Sequence, residues 1–243
     1  MKKWTWLLTA AFLVLMADAE GARKAKNIIL FLADAGSLPT VSAASILGYG
    51  EAQKLFVQSW RHIGLSDTSP AVQWVTDSAA GMTAIVTGQK TINGVISQGA
   101  DTIRGKKDGT SLKTILEYAE ERGLSTGVVS NVNIADATPA ACYAHANDRA
   151  KHGEIFLQVF EPRFGDGVDV VLGIGRKPIF DAVQKLGRDI NEVARSKNRT
   201  IYDSLAAVPA GGTGRSRFRA RGSASPRTAR ARRTLRRSRP RSR

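Results

Sequence analysis

The residues with the clearest chemical potential are Thr76-Asp77-Ser78-Ala79-Ala80-Gly81-Met82-Thr83-Ala84. One hydroxyl nucleophile, Ser78, stands at the mouth of a segment of small residues. Thr76 and Asp77 carry capping-type side chains, Ala79 to Val86 can form helical turns, and Gly88 falls where a left-handed stop belongs. A helix start presents unpaired backbone N–H groups and the positive end of a dipole, which suits an anionic group such as phosphate. Small side chains let such a group approach Ser78 closely. Taken alone, Asp-Ser-Ala at a helix start is an ordinary N-cap, so the accompanying segments must decide between the two readings.

Two other segments place reactive side chains at the ends of expected elements. Lys26-Asn27-Ile28-Ile29-Leu30-Phe31-Leu32-Ala33 is an apolar run that delivers Asp34, followed by Ala35-Gly36. Asp136-Ala137-Thr138-Pro139-Ala140-Ala141 leads to Ala144-His145 and then to Arg149, eleven residues beyond Thr138. Individually, Asp34 reads as a capping carboxylate, Asp136 to Pro139 as a turn, and Arg149 as a solvated charge. Together with Thr76-Asp77-Ser78-Ala79-Ala80, and in this order, they resemble the alkaline phosphatase family. The resemblance runs from about Lys26 to Leu205.

That resemblance implies metal-dependent hydrolysis of phosphate monoesters through a phosphoserine intermediate, with small phosphate monoesters as substrates and Zn2+ and Mg2+ as cofactors. A monoester dianion repels nucleophiles, so catalysis of this kind is mainly charge neutralisation and in-line positioning. Ser78 would attack phosphorus and would itself be a zinc ligand, since zinc lowers the pKa of a bound hydroxyl. Asp34 would be the carboxylate shared by zinc and magnesium. Thr138 would give its hydroxyl oxygen to magnesium, and Asp136 would hold a magnesium-bound water. Arg149 would grip two phosphate oxygens with its planar fork, which lysine cannot copy.

The chain departs from the family pattern in two places. Ala33-Asp34-Ala35 stands where the family usually has Gly-Asp-Gly, and alanine excludes some backbone conformations open to glycine. The family's later ligands are a magnesium glutamate, an aspartate with two histidines for one zinc, and an aspartate-histidine pair for the other. Nothing after Leu205 resembles them, and no histidine follows His152. Zinc sites normally take at least three protein ligands, so the catalysis of this chain is expected to be impaired. His145 and His152 are spaced like no helical ligand pair, and with His62 they read as structural or surface residues. The Cys/Ser-x-Pro-x-Arg setting of sulfatases and the Gly-x-Ser-x-Gly elbow of acyl hydrolases are both absent around Ser78.

The elements expected to position these residues alternate. Lys26 to Ala33, Ser125 to Ser130 and Asp169 to Ile174 read as buried parallel strands. Pro39 to Leu47, Thr110 to Gly123, Glu154 to Phe160 and Ile190 to Arg195 read as helices, the second with Leu112, Ile115, Leu116 and Ala119 on one face. The fold class is α/β, a parallel-sheet sandwich of the alkaline phosphatase type, incomplete at the C-terminus. In such sheets ligands bind beyond the carboxyl ends of the strands.

Both ends of the chain differ from this body. Lys2-Lys3, the apolar run Trp4 to Met16 and Ala17-Asp18-Ala19 form a signal-peptide pattern over residues 1–19, so export to the periplasm or exterior is expected, with no membrane span. The phosphatase-like domain then covers 20–208. Residues 209–243 form an Arg-rich tail expected to be disordered, with thirteen arginines and no acid after residue 213. That tail accounts for nearly all of the net charge of +15, leaving the body almost neutral. Its abrupt onset at Ala207-Val208-Pro209 reads as a coding sequence out of register, in a chain truncated or frameshifted near residue 208. The alternative is a non-catalytic secreted protein that binds nucleic acid or another polyanion through the tail. A homodimer would be open to the completed domain. The single cysteine, Cys142, excludes an internal disulfide and reads as a buried small residue.

Overall fold

A computed structural model describes residues 25–208 and 217–221. The signal-peptide segment and the remainder of the C-terminal tail lie outside the described residues. The chain divides into two compact units, residues 1–60 and 61–243.

The N-terminal unit contains helix α1, Leu38–Tyr49, with Pro39 in its first turn. It ends at Gly50 in the left-handed conformation, so Gly48, expected as the stop, lies inside the helix. Ser45, buried on α1, donates to Glu51 O at 2.7 Å and accepts from Lys54 N at 2.8 Å, which folds the following turn back on the helix. The expected strand Lys26 to Ala33 is not formed. Ile28, Ile29, Leu30 and Phe31 are each more than half exposed, and no ladder partner is bonded to them among the described residues. An apolar run signals a need for burial, whereas a strand also requires a neighbour to receive its backbone hydrogen bonds.

The C-terminal unit is built on a four-stranded sheet, β1 Gly127–Asn133, β2 Val170–Ile174, β3 Thr200–Tyr202 and β4 Arg217–Arg221. The spatial order is β1-β2-β4-β3 and every pairing is parallel. β1 and β2 run two or one residues later than expected at their starts but hold the expected sheet. β4 departs from the absence of regular structure expected over 209–243. Its sequence, Arg217-Phe218-Arg219-Ala220-Arg221, alternates with period two, a strand pattern inside a composition that suggests none.

Helices α2 Ser78–Thr87, α3 Ile115–Glu120, α4 Ala137–Ala140, α5 His152–Leu157, α6 Arg176–Lys185 and α7 Ile190–Ser196 complete this unit. α6 was not anticipated. It packs on α5 through a face carrying the fully buried Ile179 and Val183, one helical turn apart. α2 packs against α4, and both supply alanines to one core with Ile134, Phe156, Val171 and Val183.

The face of α3 is the clearest departure from its expected apolar stripe. Ile115 is exposed, while Glu117 and Glu120 are buried. Each buried carboxylate has its own donors. Glu117 Oε2 accepts from Thr114 N at 2.8 Å, closing a capping box with the Thr114 hydroxyl. Glu120 accepts from Thr126 Oγ1 at 2.9 Å and Gly167 N at 3.1 Å, which ties α3 to the approach to β2. Arg199 fastens the same region from the other side by donating to the carbonyls of Val159, Asp166, Gly167 and Val168.

Burial raises the Glu120 carboxyl above its ordinary value of 4.5, against the opposing pull of its two donors. The folded state thus binds this proton more tightly than the unfolded state does. Its contribution to stability is complete below the unfolded pKa and is lost as pH rises through the higher folded value. In urea unfolding across this range, the wild-type midpoint should fall with rising pH more steeply than that of E120Q. Parallel curves for the two proteins would exclude this linkage.

Candidate active site

The site begins where α2 begins. Asp77 is extended at φ −97° and its Oδ1 accepts from Ala80 N at 2.9 Å, which makes it the N-cap. Gly88 closes the helix in the left-handed conformation, as the sequence suggests. Ala79 and Ala80 are buried against the core and Ser78, the first helical residue, is half-buried. The Ser78 hydroxyl therefore belongs to the amino end of a ten-residue helix, where the dipole favours an anion.

The second oxygen of Asp77 reaches outward from the helix. Oδ2 accepts from Gly94 N at 2.9 Å and from an Arg149 guanidinium nitrogen at 3.1 Å. Asn93 Oδ1 accepts from Asp77 N, and Asn93 Nδ2 donates to Val75 O, both at 2.9 Å. Residues 93 and 94 thus clamp both sides of the cap. Gly94 is favoured by its backbone, whose φ of +83° lies in the left-handed region that side chains resist. Arg149 N also donates to Gly94 O at 2.8 Å, so the arginine is fixed through its backbone as well as its head. Ser78 and Arg149, 71 residues apart in sequence, are brought together by the carboxylate beside the serine.

Thr138 lies on the short helix α4, which packs against α2, and Asp136 stands immediately before it. Asp136 precedes α4 without a side-chain cap bond, and its Oδ1 lies 3.6 Å from His152 Nε2. His152 is partly exposed. His145 differs from a surface residue entirely: Nδ1 lies 2.7 Å from Ser97 O and Nε2 2.8 Å from Glu117 Oε1, with the imidazole and carboxylate almost fully buried. His62 is exposed. Cys142 is buried as expected, and burial pushes its thiol up to about 12, which removes it as a nucleophile near neutrality.

Asp34 belongs to the N-terminal unit, where it is exposed in a turn. The next residue, Ala35, has φ +54°, in the left-handed region that favours glycine. A side chain there costs about 1 kcal/mol relative to glycine. The substitution of the usual glycine is therefore a source of local strain beside the expected metal ligand.

Zinc and magnesium require a converging set of donors. Among the described residues no three His, Cys, Asp or Glu side chains converge on one point. Asp136 and Thr138 offer two oxygens, Asp77 is engaged by Arg149, and His145 is held by Ser97 and Glu117.

Comparison with known proteins identifies the family of the chain. The family model for alkaline phosphatase matches residues 25–209. Alkaline phosphatase 4 of Drosophila melanogaster is 36% identical over 65% of this chain and 30% of its own length. Streptomycin-6-phosphate phosphatase of Streptomyces griseus is 30% identical over 86% of this chain and 50% of its own. Among solved structures, a TAB5 alkaline phosphatase mutant with Mg bound in its M3 site is similar, with a TM-score of 0.63 and 31% identity over 76% of this chain and 50% of that one. The chain spans half or less of the length of these relatives. Among the described residues no helix is long and apolar enough to cross a membrane.

The Asp77 junction gives a direct test. D77A should lose about 1–3 kcal/mol of stability in urea unfolding, because the cap and two further bonds vanish together. D77S, which restores only the cap oxygen, should recover about 1 kcal/mol of that loss. Unchanged stability in D77A would refute the role of Asp77 as a junction.

Proposed function

Because this chain belongs to the alkaline phosphatase family, we propose that it acts on phosphate monoesters, with Ser78 as nucleophile and Arg149 as the phosphate grip. One observation carries this reading: the bond from Arg149 to Asp77 Oδ2 sets a guanidinium beside the helix start that bears Ser78. A hydroxyl, a fixed cation and a helix amino end are what a phosphate dianion needs in order to be neutralised and attacked.

Ser78 Oγ gives up its proton to water and forms the new bond to phosphorus as the ester oxygen departs and takes up a proton from water, leaving phosphoserine and the free alcohol. Water then displaces the serine oxygen and releases inorganic phosphate. Arg149 donates to two equatorial phosphate oxygens throughout, and Asp77 keeps the guanidinium from swinging away.

Metal dependence through Zn2+ and Mg2+ extends to this chain by relationship, and Asp34, Ser78, Asp136 and Thr138 are its candidate donors. Turnover by the chain alone is impaired in this reading, since zinc sites normally take at least three protein ligands and no histidine follows His152. Export to the periplasm or exterior rests on Lys2-Lys3 and the apolar run that follows. The alternative, polyanion binding, rests on the thirteen arginines of the tail.

The purified chain supplied with zinc and magnesium should hydrolyse a chromogenic phosphate ester slowly. Peptide mass spectrometry of acid-quenched enzyme should find phosphate on Ser78. S78A should abolish both signals, and R149A should lower kcat/KM by roughly 10²-fold. Turnover that persists in S78A, or a complete lack of both turnover and label in the unaltered chain, would overturn the reading.

A further inference from the structure

We infer that the buried Glu117–His145 pair is a positioning device for Arg149, acting along a hydrogen-bonded ladder that ends at the phosphate grip. The inference rests on the proposed role of Arg149.

Residues 94–97 and 145–149 run antiparallel and are joined at successive points. His145 Nδ1 lies 2.7 Å from Ser97 O. Ile96 and Ala146 exchange both backbone bonds at 2.9 Å. Arg149 N donates to Gly94 O at 2.8 Å. At the near end, Gly94 N and the Arg149 guanidinium converge on the same Asp77 oxygen. A displacement of either strand of this ladder is therefore felt at the guanidinium.

The far end is anchored entirely by buried polar groups. Ser97 N donates to Thr83 Oγ1 at 2.9 Å, and Ser97 Oγ donates to Ala141 O at 2.7 Å. Ser97 O can only accept, so His145 Nδ1 must carry a hydrogen. His145 Nε2 then shares a second hydrogen with Glu117 Oε1 at 2.8 Å, while Glu117 Oε2 is occupied by Thr114 N. Phe164 closes over the imidazole in an edge-to-face contact, centroids 5.4 Å apart. Both oxygens of Glu117 are engaged, and the imidazole cannot turn without breaking one of its two bonds. A buried ring held at both nitrogens fixes the register of the ladder.

Glutamine at position 117 can preserve this arrangement: its carbonyl accepts from Thr114 N and its amide donates to a neutral imidazole that keeps the hydrogen on Nδ1. Methionine cannot. This distinction separates positioning from simple filling of space, because both side chains have similar length.

The test uses the full chain. The Arg149 Nε–Hε NMR signal is assigned by its loss in R149K, and inorganic phosphate is titrated by calorimetry. E117M should shift or broaden the Arg149 signal and weaken phosphate binding by roughly tenfold. E117Q should restore the signal and affinity to within about twofold. I179V, a core change remote from the ladder, serves as a control for lost stability and should leave the Arg149 signal in place. An unmoved Arg149 signal in folded E117M overturns the inference, as does a shift in I179V equal to that in E117M. If E117M does not fold, E117Q decides: a displaced Arg149 signal in that folded variant overturns the inference, and a retained one supports it. Absence of phosphate binding by the unaltered chain would overturn the proposed role of Arg149, while the NMR comparison would still decide whether the pair positions it.

Discussion

The Asp77 carboxylate is the constraint on which the rest of the site depends. One oxygen satisfies an otherwise unpaired N–H at the start of α2, and the other gathers Gly94 and Arg149. Neither task can be moved to a neighbouring residue. The cap needs a short acceptor immediately before Ser78, and Arg149 needs a carboxylate to hold it facing the same point. Since the helix end is positive and Arg149 is cationic, one aspartate leaves the place electrostatically receptive to an anion. A second carboxylate there would cancel it.

The surrounding core makes this economy workable. Ala79, Ala80, Ala137, Ala140, Ala141, Ala144 and Ala146 are all buried, so the segments bearing Ser78, Thr138 and Arg149 approach one another closely. Small side chains also leave little apolar area per residue, and stability must then come partly from paired polar groups. Glu117, Glu120, Ser97, Thr83 and Thr114 fill that role, each with a partner in hand. The same pairing that compensates for modest apolar burial also fixes the geometry.

The legibility of the sequence follows the range of each interaction. α2 was readable almost residue by residue because its cap, its small face and its glycine stop all act within a few positions. β1 and β2 were readable from continuous apolar runs, although their ends were not. Asn27 to Leu32 carried an equally strong signal and formed no strand, since pairing depends on a partner that the run itself does not specify. α6 escaped notice because Arg176-Lys177-Pro178 is an unpromising start and only Ile179 and Val183 mark its buried face. Arg149 could be singled out only through family resemblance, and the reason it matters, a bond to a carboxylate 72 residues earlier, has no local trace. The burial of Glu117 with His145 was likewise hidden: each residue alone looks like surface.

These ranges also separate the two halves of the proposed chemistry. The proposed grip on a phosphate group draws on Ser78, Asp77, Gly94 and Arg149, all from one unit and joined by bonds between protein atoms. Activation of the serine hydroxyl would draw on donors that the grip does not use, because the grip is built from backbone ladders and buried pairs that fold with their own core. Affinity for phosphate and the rate of its transfer are then distinct properties of the fold, with different residues answerable for each.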